Sequence, residues 1–179
     1  MADTTSAVDL RYPLGRFAPV APSTERRAID IASIAALPQE IRAAVAGLDD
    51  RQIDTPYRPD GWTVRQLVHH VADSHMNALV RLKLALTEDA PTIKPYDENA
   101  WAALADVRLP VEVSLVLIDS VHRRWDALNA ALTETDYGRR WTHPEHGKTF
   151  TIDGLLQTYG WHSRHHVAHI TALRARQGW

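Results

Sequence analysis

Four long stretches of this 179-residue chain repeat apolar residues at helical spacing, and only one short strand candidate lies among them. An amphipathic helix must bury its apolar stripe, and four such stripes bury one another most simply in an all-α four-helix bundle. The first stretch runs from Thr24 to Leu48 through Ile29, Ile31, Ile34, Leu37, Ile41 and Val45, with Pro38 expected to kink or restart it. The second opens at Thr63-Val64-Arg65-Gln66, a capping-box pattern, and should reach about Thr87 with Leu67, Val71, Ala78, Leu82 and Leu86 on its stripe. The third should span about 110–132, with Pro110 as its first residue and Val113, Leu117, Val121, Trp125 and Leu128 inward. Thr151 caps the last, about 152–176, and Gly178 is a plausible terminator.

The connecting segments are short. Residues 1–23 carry Pro13, Pro19 and Pro22 and read as an irregular N-terminal arm; 49–62 are rich in turn formers. A short helix is expected around Asp97–Ala105, and a small hairpin or turn at His143-Pro144-Glu145-His146-Gly147-Lys148. Nothing demands a second domain, so 1–179 is read as one.

Composition removes several classes of function. A formal charge of −2 gives no electrostatic reason to expect nucleic acid or an anionic membrane as partner. No apolar run is long enough to span a bilayer, and the first residues lack the features of a secretory signal, so the cytoplasm is the expected location. Cysteine is absent, which excludes disulfides and thiolate ligands and leaves soft-metal chemistry to histidine. There are ten histidines, four of them between 162 and 169.

His162 and His166 are four residues apart on the last helical stretch, about 40° apart around its axis, so both imidazoles can converge on one ion. His70, on the second stretch, can meet them. Three neutral imidazoles leave a divalent metal with an open position, the layout of a catalytic site. Such a pair alone is a weak signal, because surface or hydrogen-bonded core histidines share the spacing. His169 continues the same face and strengthens it. His69 points about 100° away from His70. It pairs with Asp73 on a partly exposed face, or Asp73 orients a ligand histidine; both readings stay open. His75 and His122 are expected to be core or cavity-lining residues, and His143 and His146 to be solvated. Trp62 and Trp161 are read as structural, although each lies beside a candidate ligand in sequence. No His-Glu-x-x-His, Gly-x-Gly-x-x-Gly or Walker motif occurs.

The segments Asp54-Thr55-Pro56-Tyr57-Arg58, Gly61-Trp62-Thr63-Val64-Arg65-Gln66-Leu67-Val68-His69-His70-Val71-Ala72-Asp73 and Trp161-His162-Ser163-Arg164-His165-His166-Val167-Ala168-His169 closely resemble the YfiT-type proteins of the DinB-like superfamily. The likeness extends from Arg11-Tyr12-Pro13-Leu14-Gly15 to Gly178-Trp179, nearly the whole chain. It implies a DinB-like four-helix bundle, usually a homodimer, with one zinc or nickel ion per subunit held by His70, His162 and His166. It also implies a metal-dependent hydrolase, with Asp73 or a nearby histidine as candidate base or orienting group. The alternative is a thiol S-transferase joining a low-molecular-weight thiol, of the bacillithiol or mycothiol type, to an electrophile, which needs no protein base. In that reading Arg65 and Arg164 are candidates to meet an anionic cosubstrate, although solvation is the plainer role. A third reading is a non-catalytic protein with a structural metal, which requires a fourth ligand such as His169 or Asp73.

Overall fold

The computed structural model describes residues 9–144 and 147–179. Four long helices form the bundle: α1 (Thr24–Val45), α3 (Val64–Thr87), α5 (Val111–Asn129) and α6 (Ile152–Gln177). The short helices α2 (Asp50–Ile53) and α4 (Glu98–Trp101) lie in the connections, and β1 (Arg140–His143) pairs antiparallel with β2 (Lys148–Thr151). The bundle is all-α apart from this hairpin, and residues 9–23 are without regular secondary structure except for turns.

Local chemistry explains most boundaries. The Thr63 hydroxyl accepts from the Gln66 amide at 3.1 Å, and the Gln66 side chain accepts from the Thr63 amide at 3.0 Å. That completes the capping box on α3. Thr151 caps α6 through the Gly154 amide, and Gly178, at φ 70°, ends it in the left-handed conformation glycine tolerates.

Several expectations are corrected. Helix α1 continues through Pro38 and ends at Val45, three residues early. Residues 50–53, expected as plain connection, form α2 because Asp49 and Gln52 make their own capping box. Pro110 is the cap of α5, and the segment after α4 tightens into a 3-10 turn at Ala105–Arg108. On α5 the buried stripe is Leu115, Ile118, Val121, His122 and Trp125, while Val113 is 53% exposed. Ile29 on α1 is likewise exposed. The helical period was visible, but the side of the helix that faces the bundle is chosen by its neighbours.

In the bundle α1 packs against α6 and α5, and α3 packs against α5 and α6, so α1 and α3 stand on a diagonal. Two apolar clusters form its core. One holds Leu37, Ile41, Leu67, Val71, Leu115, Ile118, Ile170 and Leu173; the other holds Ile34, Leu79, Leu82, Trp125, Trp141, Ile152 and Leu156. Helices α1 and α6 run from the second cluster towards the first, and α3 and α5 run the opposite way. The α1–α6 contact is close: a Cβ on Gly160 would lie 2.8 Å from Asp30 Oδ1 and 3.0 Å from Asp30 Cα. The buried Asp30 is held by Arg26 at 2.7 Å, and Arg27 joins α1 to Asp153 of α6 at 2.7 Å.

Candidate metal centre

Between the two apolar clusters lies a layer of histidines. His70 and His75 come from α3, His122 from α5, and His162 and His166 from α6. Three of them converge. His162 Nε2 stands 3.3 Å from His70 Nε2 and 3.1 Å from His166 Nε2, and the three ligand atoms all lie within 4.8 Å of one another. Four tetrahedral bonds of about 2.05 Å would set donor nitrogens roughly 3.3 Å apart, so this spacing suits a single divalent ion. The rings of His70 and His166 are buried and that of His162 is half-buried. Burial pushes the His70 pKa down to about 4 and those of His162 and His166 well below the usual histidine value, with the neighbouring imidazoles adding to the effect on the latter two. Neutral rings carry the lone pairs a metal needs.

The remaining histidines stand behind this trio. His75 Nε2 is 3.2 Å from His162 Nδ1, and His122 Nε2 is 3.0 Å from His75 Nδ1. Both are buried, as expected; His75 contacts the back of His162, and His122 stands behind His75. His169 Nδ1 lies 3.4 Å from His166 Nδ1, and its Nε2 lies 3.1 Å from the Arg11 carbonyl. His169 therefore sits behind His166 and offers its nitrogens away from the trio's centre. His165 stacks on Trp161 at 4.1 Å, and Trp62 lies against His70 at 4.6 Å between ring centroids.

His69 and Asp73 follow neither of the expected arrangements. His69 Nδ1 meets Ser114 Oγ at 2.6 Å, and its Nε2 lies 3.1 Å from the Leu109 carbonyl. Among the described residues no hydrogen bond joins Asp73 to a histidine. Its carboxyl pKa is pushed up to about 6, chiefly by desolvation and further by Asp106. Arg65 pairs with Asp54 at 2.6 Å and Arg164 donates to Ser33 at 3.1 Å, so both are engaged elsewhere. His143 is half-buried in the hairpin against Phe150 instead of solvated, and His146 lies outside the described residues.

Two cavities flank the trio. One, of about 370 Å³, is bounded by His162, Tyr159, Arg81, Tyr96, Trp141 and Phe150. The hairpin supplies its far wall, tied down where Thr142 donates to the Pro91 carbonyl at 2.9 Å and accepts from Ile93 at 3.1 Å. The Tyr96 hydroxyl is buried without a hydrogen bond of regular geometry. The other cavity, of about 300 Å³, is bounded by His166, His169, Trp62, Arg11 and Arg58. Asp73 borders neither. The cavity residues Arg81, Tyr96 and Tyr159 escaped the sequence reading, since isolated Arg and Tyr residues carry no spacing signal.

Comparison with known proteins agrees with this architecture. Residues 33–170 match the DinB superfamily. A Bacillus mycoides (strain KBAB4) protein named "Putative metal-dependent hydrolase" is 53% identical over 96% of this chain and 99% of its own length. A Bacillus cereus (strain B4264) protein of the same description is 54% identical over the same shares. Among solved structures, YfiT from Bacillus subtilis, described as a probable metal-dependent hydrolase with an unusual four-helix bundle topology, superimposes with a TM-score of 0.92. It is 45% identical, over 96% of this chain and 99% of that one. A fold, a sequence and a histidine trio that all agree lead to one placement: the chain belongs to the DinB superfamily, among its YfiT-type proteins.

Proposed function

We propose that this protein is a metal-dependent hydrolase whose divalent ion, zinc or nickel, is held one per subunit by Nε2 of His70, His162 and His166. The observation that carries the reading is the 3.1 and 3.3 Å spacing of three neutral imidazole nitrogens beside a cavity. Its relatives bear names of the same kind. A divalent ion with three histidine ligands supplies Lewis acidity that makes water a nucleophile near neutral pH. The protein's own residues then bind and orient. Arg81 and the Tyr96 hydroxyl present hydrogen-bond donors to a substrate in the larger cavity, and Trp141 and Phe150 exclude water from it. Asp73 serves at most from a distance, because it borders neither cavity. The carboxylate that does border the larger cavity is Glu98, whose pKa is raised by burial, so it is the candidate base or orienting group. The homodimer implied by the family resemblance belongs to this proposal and is read by sedimentation equilibrium.

A second reading has one observation in its favour. Hydrolysis needs one organic substrate, whereas cavities on both sides of the trio suit a reaction of two, such as transfer of a low-molecular-weight thiol to an electrophile. Titrating cobalt-loaded protein with bacillithiol, mycothiol and glutathione separates the two. A sulfur-to-cobalt charge-transfer band with one thiol supports S-transfer; no band, with turnover in an ester and amide panel, supports hydrolysis. Either mechanism requires that His162→Ala lower bound metal well below one equivalent. Full stoichiometry in that variant would remove the proposed centre.

A further inference from the structure

A neutral imidazole has one N–H and one lone pair, so a chain of imidazoles joined by N–H···N bonds has a single direction. If one end is settled, every ring in the chain is settled. Two such chains lead away from the trio. In one, His166 Nδ1 faces His169 Nδ1 at 3.4 Å, and His169 Nε2 faces the Arg11 carbonyl at 3.1 Å. In the other, His162 Nδ1 faces His75 Nε2 at 3.2 Å, and His75 Nδ1 faces His122 Nε2 at 3.0 Å.

A carbonyl can only accept. The Arg11 carbonyl therefore requires Nε2–H on His169, which leaves the lone pair on His169 Nδ1. That lone pair accepts a hydrogen bond from His166 Nδ1–H, and His166 Nε2 is left bare towards the trio. The second chain ends near a carbonyl of unusual origin. Pro38 lies inside α1 and has no N–H, so the carbonyl four residues earlier, that of Ile34, lacks its helical donor. His122, Ala35 and Pro38 border the same surface depression, so the ring stands against the turn of α1 that carries Ile34. His122 Nδ1 is otherwise buried without a partner of regular geometry. With Nδ1–H turned to Ile34, the chain runs through His75 and leaves His162 Nε2 bare as well. The reverse direction would put a proton on the nitrogen that must bind the ion.

We propose that two imidazole chains, ended by the Arg11 and Ile34 carbonyls, hold His166 and His162 in the metal-binding tautomer before any ion arrives. His169, His75 and His122 are thus positioning residues, and Pro38 earns its place in a helix by freeing a carbonyl. The inference rests on the metal-centre reading. Partners behind a ligand histidine commonly contribute tenfold or more to metal affinity by settling tautomer and ring orientation.

The test has a metal-free arm. Long-range ¹H–¹⁵N correlation spectra of the apo protein should show His162 and His166 as Nδ1–H tautomers; Nε2–H on either ring would overturn the proposal for that chain. In competition with a chromophoric chelator, His122→Phe and His169→Phe should weaken zinc binding about 10- to 100-fold. His122→Gln and His169→Gln, which can accept at one atom and donate from another, should recover most of it. Unchanged affinity in the Phe variants would overturn the inference. Pro38→Ala gives α1 a better helix former and returns a donor to Ile34, so it should fold at least as stably. Its His162 should nevertheless drift towards Nε2–H with several-fold weaker zinc binding; an unmoved tautomer would remove Ile34 from the chain. Should the wild type bind no zinc at all, the metal-centre reading fails, while the apo spectra still decide whether the chains exist.

Discussion

The two apolar clusters and the histidine layer between them solve opposite problems with the same four helices. In the clusters, Leu, Ile, Val and Trp side chains with almost no exposure fill space, and their burial stabilises the fold at about 25 cal/mol per Å² removed from water. In the layer, burial is unfavourable to charge and every ring needs a partner, so it contributes specificity and chemistry at some expense of stability. The lesson lies in the alternation along one helix. On α6, Leu155 and Leu156 are followed by His162 and His166 and then by Ile170 and Leu173, so the site is clamped from both ends by dry packing.

The largest test of this contrast is pH. Burial holds the pKa of His70, His122, His165 and His169 near 4, against an ordinary value of 6.5. Below 6.5 the unfolded chain binds protons that the folded one refuses, so stability is intact above that pH and falls steadily towards 4. The deeply buried His70 and His122 each contribute up to about 1.4 kcal/mol per pH unit within the window, and His165 and His169 less because solvent screens them. Urea midpoints of the apo protein should fall steeply from pH 7 to pH 4.5; a flat profile would mean the layer is hydrated. Next in size, Leu156→Ala in a dry cluster should lose about 2–5 kcal/mol in urea unfolding while sparing zinc stoichiometry. A loss under 1 kcal/mol would show that the cluster is loosely packed. Gly160→Ala should cost about 1–3 kcal/mol, because its Cβ meets Asp30 and drives α1 from α6.

Asp73→Asn is the smallest. Its carboxyl pKa is raised to about 6, so the folded state binds the extra proton between the ordinary carboxylate value and 6, and above that window the charge opposes folding. Removing it should stabilise the protein at pH 7 by under about 1 kcal/mol, given partial solvent screening, and leave zinc binding unchanged. Destabilisation instead would reveal a partner for the carboxylate.

Signals confined to one helical turn were legible in the sequence: the Thr63–Gln66 box, the Thr151 cap, the Gly178 stop, and the convergence of His162 with His166. Each involves atoms within four residues of one another, whose geometry a helix dictates. The uninterrupted path of α1 through Pro38 was not legible, nor were the shifted stripe of α5 and the partners of His69. Ser114 and the Leu109 carbonyl lie 45 and 40 residues away from that ring.

Sequence alone therefore determined four helices, the caps of α3 and α6, the absence of protein thiols and a histidine pair able to share an ion, since all of these follow from local periodicity and residue chemistry. Tertiary structure decided which histidines face inward and which stand behind them, which carbonyls end the two chains, and where Arg81 and Tyr96 open onto a cavity. Those outcomes depend on helix order and rotation, which are set by the packing of all four stripes together and cannot be read from any one of them.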